Sequence, residues 1–286
     1  LSSNFNIFLA WRKPYFNSEE PFLLEENLPS KNPFEIFDIW LKNVAAKKDV
    51  SFEEVNAACF STVRDFSAFF ALNRICNRHY FIKELLSSIL DFVLCFQAIN
   101  NRPKSRMVLI KEYDMEGFSF YTHYKSAKGR EIDANPYGCI LFYWPAVDRQ
   151  ASRFILLRGK QKSVTVSCQI IYFKVRVEGK IEKLPLNAAE SYWYQRPLKS
   201  RIGSKLSNQS AVIPSRQYLE EQKKILEKLA AEKGEAAITR PDDWGGYRLL
   251  PDYFEFWQGQ SDRVHDRIVF EKANGESEWT VKRLSP

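Results

Sequence analysis

Apolar residues in this chain recur mostly at a period of two, in short runs closed by turn-forming residues. That is the pattern of strands with one buried face. AACFSTVR (57–64), RMVLIKEY (106–113), FSFYTHY (118–124), YGCILFYW (137–144) and VRVEGKIEKL (175–184) all read as strands. In the last of these, Val175, Val177, Gly179 and Ile181 share a face. Met115-Glu116-Gly117 turns the second run into the third. GGYRLL, YFEFWQG, RIVFEK and EWTVKRL add four strand candidates, with Asn274-Gly275 as a hairpin turn before the last. Helical spacing is confined to a few segments. Asn32-Pro33 opens one, with Glu35 behind the cap and Phe34, Phe37, Leu41 and Val44 on one face. Ser126 caps a short helix that Asn135-Pro136 ends, and residues 187–196 are helical up to Pro197. The longest helix runs from the Ser215 cap to the Gly234 stop. The expected class is mainly β with flanking helices, an antiparallel barrel with helices outside.

Composition narrows this reading only slightly. The 286 residues fit one large domain or two small ones. Five cysteines without paired spacing give neither a disulfide framework nor a zinc site, so a reducing, cytoplasmic setting is expected. No apolar run reaches membrane-spanning length; the longest candidate, LLSSILDFVLCF, carries Asp91. LSSNFNIFLA lacks the basic start of a signal peptide. The formal charge of +7 suggests attraction to anions.

There is no Gly-rich phosphate loop, HExxH, GxSxG or CxxC, so any chemistry sits in dispersed polar residues and no metal is expected. Arg106 and Lys111 bracket one strand, on opposite faces unless the strand bends or ends at Lys111. Tyr192, Arg196 and Ser200 are spaced for one helix face, an alignment that Pro197 loosens. In WQGQSDRVHDRIVF (257–270), Arg263 and His265 point the same way if the segment is extended, and Asp266 can orient neighbours by ion pairing. Two guanidiniums beside an imidazole suit a phosphorylated ligand, and Trp257, Tyr192 and Trp193 could stack on a flat ring. Solvated strand ends and ordinary core packing explain the same residues without any ligand.

The ordered set RMVLIK, FYT, SAKG, DRQ, VRVEG, the RP of YQRP, QSAVIP, WGGY, EFWQG, RVHDR and terminal RLSP resembles the pyridoxine 5′-phosphate oxidase family, from about Arg12 to Pro286. The resemblance implies an FMN-binding split β-barrel of antiparallel Greek-key type, active as a homodimer. It implies oxidation of pyridoxine or pyridoxamine 5′-phosphate to pyridoxal 5′-phosphate, with O2 becoming H2O2. It assigns Arg106, Met107, Val108, Leu109, Ile110, Lys111, Tyr121, Thr122, Lys128, Gln150, Gln209, Ser210, Trp257 and Arg267 to FMN. Lys111, Tyr192, Arg196 and Ser200 would hold the substrate phosphate. Arg263, Val264 and His265 would close over the pyridine ring, Arg263 and His265 as the catalytic pair, with His265 neutral. Arg12 and Tyr15 match a segment that covers the site. The competing expectation is a non-catalytic flavin- or pyridoxal-phosphate-binding protein on the same barrel.

Three single residues depart from the family pattern: Ala127 stands where Arg is usual, Val264 for Leu and His123 for Asn. Two longer stretches, 66–97 and 151–174, interrupt blocks that are contiguous in the family. The expected organisation is an N-terminal segment over 1–30 and one domain over 31–286 carrying both interruptions. They also hold most of the excess charge: the second has Arg153, Arg158, Lys160, Lys162 and Lys174 and no acid. Basicity is therefore no argument for nucleic acid, and neither nucleic acid nor membrane is an expected partner. Both stretches end as translated intron would, in Phe-Gln and Phe-Lys, so retained intron is the expectation and a genuine insertion the alternative.

Overall fold

The computed structural model describes residues 23–46, 54–63, 103–149, 169–260, 262–273 and 276–286. Arg12, Tyr15, Gln150, the 66–97 stretch and the Asn274-Gly275 turn lie outside them.

The strands are β1 (Ala57–Thr62), β2 (Lys104–Leu109), β3 (Glu112–Tyr113), β4 (Phe118–His123), β5 (Tyr137–Arg149), β6 (Gln169–Lys183), β7 (Trp244–Gln258), β8 (Asp266–Glu271) and β9 (Thr280–Arg283). They hydrogen-bond in the order β2-β1-β5-β6-β7-β4-β3, with β8 on β7 and β9 on β8. The β3–β4, β4–β7, β7–β8 and β8–β9 pairs are antiparallel. Among the described residues five α-helices accompany them: α1 (Pro33–Ala45), α2 (Ala127–Ala134), α3 (Leu186–Gln195), α4 (Leu198–Leu206) and α5 (Arg216–Lys233). Each expected cap is present. Asn32 accepts the Phe34 N–H at 3.0 Å, Ser126 that of Gly129 at 3.2 Å, and Ser215 that of Tyr218 at 3.3 Å. Gly234 ends α5 at φ 81°, a conformation that glycine adopts without a Cβ clash.

The structure departs from the sequence reading in strand bounds and in one buried position. RMVLIKEY is two strands, because the chain changes partner: β2 pairs with β1, and β3 pairs with β4. GGYRLL and YFEFWQG are one strand, β7. Pro251 is tolerated between the stretch paired with β4 and the stretch paired with β8. On α1 Trp40 is buried where Leu41 was expected. Finally, β6 starts at Gln169, so the last six residues of the 151–174 stretch are strand. Ile-Ile-Tyr-Phe are strong strand formers, and a ladder requires only backbone groups and a suitable pleat.

The chain divides into two compact units. The first takes its described residues from Leu1–Cys59, Ile140–Glu178 and Pro251–Pro286. Its core is aromatic: Phe34 meets Phe254 at 5.0 Å, Phe37 meets Phe142 at 4.9 Å, and Trp40 meets Phe256 at 5.2 Å. Each such fully buried ring contributes about 1.5–3 kcal/mol. The second unit spans Phe60–Cys139 and Gly179–Leu250. One of its cores lies under β4, where Phe120 packs against Phe60 and Tyr247. The other joins Trp193, Ile202, Ala230, Ile238 and Trp244 among the helices, with the Trp193 indole N–H donating to the Ile238 carbonyl at 2.9 Å. In this unit a Cβ on Gly245 would collide with the Tyr124 ring, which explains a small residue at that position of β7. Among the described residues no helix is long and apolar enough to cross a membrane, and no His, Cys, Asp and Glu side chains cluster as a metal site.

Candidate cofactor and substrate site

In the second unit the end of β4, the first turn of α2 and the loop after α4 bring polar side chains together. Lys128 donates to Thr122 Oγ1 at 2.9 Å and to Gln209 Oε1 at 2.7 Å, and Thr122 donates to the same Gln209 oxygen at 2.9 Å. Ser210 sits at φ 72° and accepts the Ala127 N–H at 3.1 Å, pinning the loop to the start of α2. Burial, and then the neighbouring Arg106 charge, push the Lys128 ammonium down to about 8. Arg106 is itself held by Thr62 at 2.7 Å and Glu131 at 2.6 Å. Burial raises the Glu131 carboxyl, but hydrogen bonds from Thr62 and Lys104 and the Arg106 charge outweigh it and keep Glu131 ionised. The sequence reading missed Glu131: a lone acid in a short helix carries no signal until the fold sets it under two cations.

An aromatic wall stands in the same unit. Tyr121 stacks on Tyr192 at 4.0 Å and on Trp244 at 5.5 Å. Burial, with Glu112 and Tyr192 nearby, raises the Tyr121 phenol to about 12, so it stays neutral. The Arg196 guanidinium lies 4.8 Å over the Trp244 ring. Burial lowers its pKa, which marks a cation short of solvation. Arg196 falls in the break between α3 and α4, and its hydrogen bond goes to Ser204 at 2.9 Å, not to Ser200. Tyr192 and Arg196 are thus brought together, while Ser200 is exposed on α4. In the 106–111 run Val108 and Ile110 are buried and Met107 and Lys111 exposed, which separates Lys111 from the inward face used by Arg106.

The first unit holds the second group. Trp257 on β7 is opposite Arg267 on β8. Arg267 donates to Glu255 at 2.7 Å, and Arg176 reaches the other Glu255 oxygen at 2.7 Å. The residues after β7 turn rather than extend. Arg263 has φ 71° and β8 begins only at Asp266, so the expected alternation of Arg263 and His265 along an extended segment is absent. Instead the Gln260 N–H donates to His265 Nδ1 at 3.0 Å, and the His265 ring lies 4.8 Å from the Trp257 ring. Burial first, then Arg263 and Lys174, lower the His265 pKa and favour the neutral form. Asp266 accepts from Gln260 at 2.6 Å and Arg283 at 2.7 Å, so it orients neighbours as expected, though its cation is Arg283. Val264 is exposed.

The fold and these clusters define a mainly antiparallel sheet protein with partly desolvated cations and flat aromatic faces, suited to a phosphorylated ring compound. Residues 82–222 match the family model described as pyridoxamine 5′-phosphate oxidase, and residues 244–286 match the pyridoxine 5′-phosphate oxidase C-terminal dimerisation region. A relative from Caenorhabditis elegans named putative pyridoxamine 5′-phosphate oxidase is 46% identical over 275 residues, 96% of this chain and 95% of that protein. Pyridoxine-5′-phosphate oxidase of Bos taurus is 34% identical over 96% of this chain and 86% of its own length. Among solved structures, PhzG of Burkholderia lata, in complex with tetrahydrophenazine-1-carboxylic acid, superposes with a TM-score of 0.64 at 21% identity, covering 94% of this chain and 98% of that one. A pyridoxamine 5′-phosphate oxidase-related, FMN binding protein of Nostoc punctiforme gives 0.53 at 12% identity, over 88% and 96% of the two chains. The two structures share the split-barrel fold. The chain belongs to the pyridoxine/pyridoxamine 5′-phosphate oxidase family.

Proposed function

We propose that this chain is an FMN-dependent oxidase that converts pyridoxine or pyridoxamine 5′-phosphate to pyridoxal 5′-phosphate, working as a homodimer. The observation that carries the reading is Lys128. It is a half-buried ammonium whose two hydrogen-bond partners are neutral oxygens, and burial together with the Arg106 charge outweighs the nearby Glu131 carboxylate in disfavouring its charge. A phosphate relieves that arrangement, so the residues present fit FMN. We assign the 106–111 run, Tyr121, Thr122, Lys128, Gln209, Ser210, Trp257 and Arg267 to the cofactor. Lys111, Tyr192, Arg196 and Ser200 are assigned to the substrate phosphate, and Arg263, Val264 and His265 to the pyridine ring.

FMN, when bound, would supply two-electron redox chemistry, with O2 as the final acceptor and H2O2 as its product. The chain's own residues bind and orient. Arg196, poor in solvation over Trp244, favours an anionic group at the aromatic wall. With Nδ1 occupied by the Gln260 N–H, a neutral His265 carries its proton on Nε2. The dimerisation-region match at 244–286 supports the homodimer.

The test supplies the purified chain with FMN and follows oxygen uptake with each phosphate ester. Turnover with pyridoxal phosphate as product supports the reading. FMN binding without oxygen uptake for either ester would favour the non-catalytic binder, and absence of FMN binding would remove the reading altogether.

A further inference from the structure

Lys174 closes the 151–174 stretch that interrupts the family pattern, and nothing in the resemblance gives it a role. In the structure it sits within β6, immediately before Val175. Strand alternation divides its neighbours. Val175 and Val177 are buried on one face, while Lys174, Arg176 and Glu178 line the other. On that second face Arg176 is neutralised by Glu255 and Glu178. Lys174 is not: among the described residues no carboxylate lies within ion-pair distance of its ammonium. Its Nζ stands 4.2 Å from the Trp257 ring centre and 5.7 Å from that of Tyr143. The other side of this small group is His265, which packs on the same Trp257 ring with Nδ1 already engaged.

A cation held only by ring faces keeps its three N–H donors largely uncommitted. Beside it are a half-exposed indole and a neutral imidazole. These suit a flat ring carrying acceptor oxygens, and the added charge favours an anionic form of it. In the resemblance, the residue directly before VRVEG is Gln150. In this chain the strand position directly before Val175 belongs to Lys174.

We propose that Lys174 is a ligand-contacting residue of this family member, its ammonium donating to bound FMN from the strand position that the family resemblance gives to Gln150. This rests on the FMN reading above. An ammonium for an amide adds a full charge, so the contact is stronger and salt-dependent where an amide's is not.

The experiment titrates FMN into the full chain and reads flavin fluorescence at two ionic strengths, for the unaltered protein and for K174Q, K174M and K174A. K128A serves as the reference for the cofactor reading. Far-UV circular dichroism and the thermal midpoint report on folding of each variant. The expected result is about tenfold weaker binding for K174A and K174M, a smaller loss for K174Q, and a shallower salt dependence in all three. K174M keeps the apolar stem over Trp257 and removes only the charge. Binding by K174M equal to the unaltered protein, with K128A weakened, would overturn the proposal and leave the FMN reading standing. Weakened Q150A with unaffected K174A would return the contact to Gln150. If the unaltered chain does not bind FMN, both readings fall together.

Discussion

The Gln260 main-chain N–H donates to His265 Nδ1 at 3.0 Å, and this one bond fixes which nitrogen of the imidazole carries the proton. Protonating His265 would break it. Burial, Arg263 and Lys174 all disfavour that protonation, so the folded-state pKa lies below the usual 6.5. The stability contributed by neutral His265 is therefore fully present above about 6.5 and is lost as pH falls through the lower folded value. Nitrogen-15 NMR of the imidazole is expected to show the Nε2–H tautomer at neutral pH and a midpoint under 6.5. An imidazolium signal at pH 7 would contradict the hydrogen bond.

Lys128 predicts a second pH dependence, at the other end of the range. Its ammonium titrates near 8 in the free protein, because burial and Arg106 press on it. An anion beside it favours the charged form and raises that value. Binding of a phosphate ester therefore takes up a proton, and affinity falls as pH rises through about 8, by at most about tenfold per unit. The same depressed value makes the ligand-free fold gain stability between about 8 and the ordinary lysine value near 10.4, where only the unfolded chain holds the proton. FMN titrations from pH 7 to 9.5 check the first statement. K128R, always charged, should flatten the curve, and an unchanged slope in K128R would place the titration on another group.

Glu255 on β7 joins Arg176 on β6 and Arg267 on β8, three strands of the first unit. Burial raises its carboxyl, but hydrogen bonds from Arg267 and Arg176 dominate and leave it below the ordinary range. Its contribution is present above about 4.3 and is lost as pH falls through the folded value. E255Q keeps the shape and removes the charge both guanidiniums use. Both arginines are part-exposed, so the loss is below that of a fully buried pair, at about 1–3 kcal/mol. Urea denaturation at pH 7 should show this loss, and the difference between variant and parent should shrink as pH falls through the folded value of Glu255.

How far the sequence announces all this depends on what each feature rests on. Caps are local chemistry, and Asn32, Ser126 and Ser215 are where a reader of residues would put them. Strand faces follow from alternation, as Val175, Val177 and Ile181 show. What alternation does not carry is partner choice, so the division of 104–113 between β2 and β3 and the union of 244–258 into one strand emerge only with the sheet. The Lys128–Thr122–Gln209 group spans 87 residues of chain and is legible only through the family motif. The turn at Arg263 was masked by the assumption of an extended run, since a left-handed arginine has no signature in composition. Glu131 and Lys174 lie where no motif points, and Glu255, though it opens EFWQG, shows its pairing with Arg176 and Arg267 only once the strands are side by side.

The boundary at 174/175 is the sharpest of these cases, and it can be tested. In sequence it is the edge between an interruption and a family block. In the structure it falls inside β6, and the residue before Lys174, Phe173, stacks on Trp40 of α1 at 4.5 Å with the rings tilted by 48°. If that contact holds, residues at the end of the stretch are part of the first unit's packing, whatever the origin of the stretch. F173A should then cost about 1–3 kcal/mol, less than a fully buried phenylalanine because Phe173 is only half-buried. A double-mutant cycle with W40L should return a coupling of about 0.5–1.5 kcal/mol, the range for an aromatic pair. A control at Tyr194, an exposed ring on α3, should show neither effect. An unchanged denaturation midpoint in F173A, with zero coupling to Trp40, would mean that the strand in solution begins at Val175 and that the stretch before it contributes nothing to the fold.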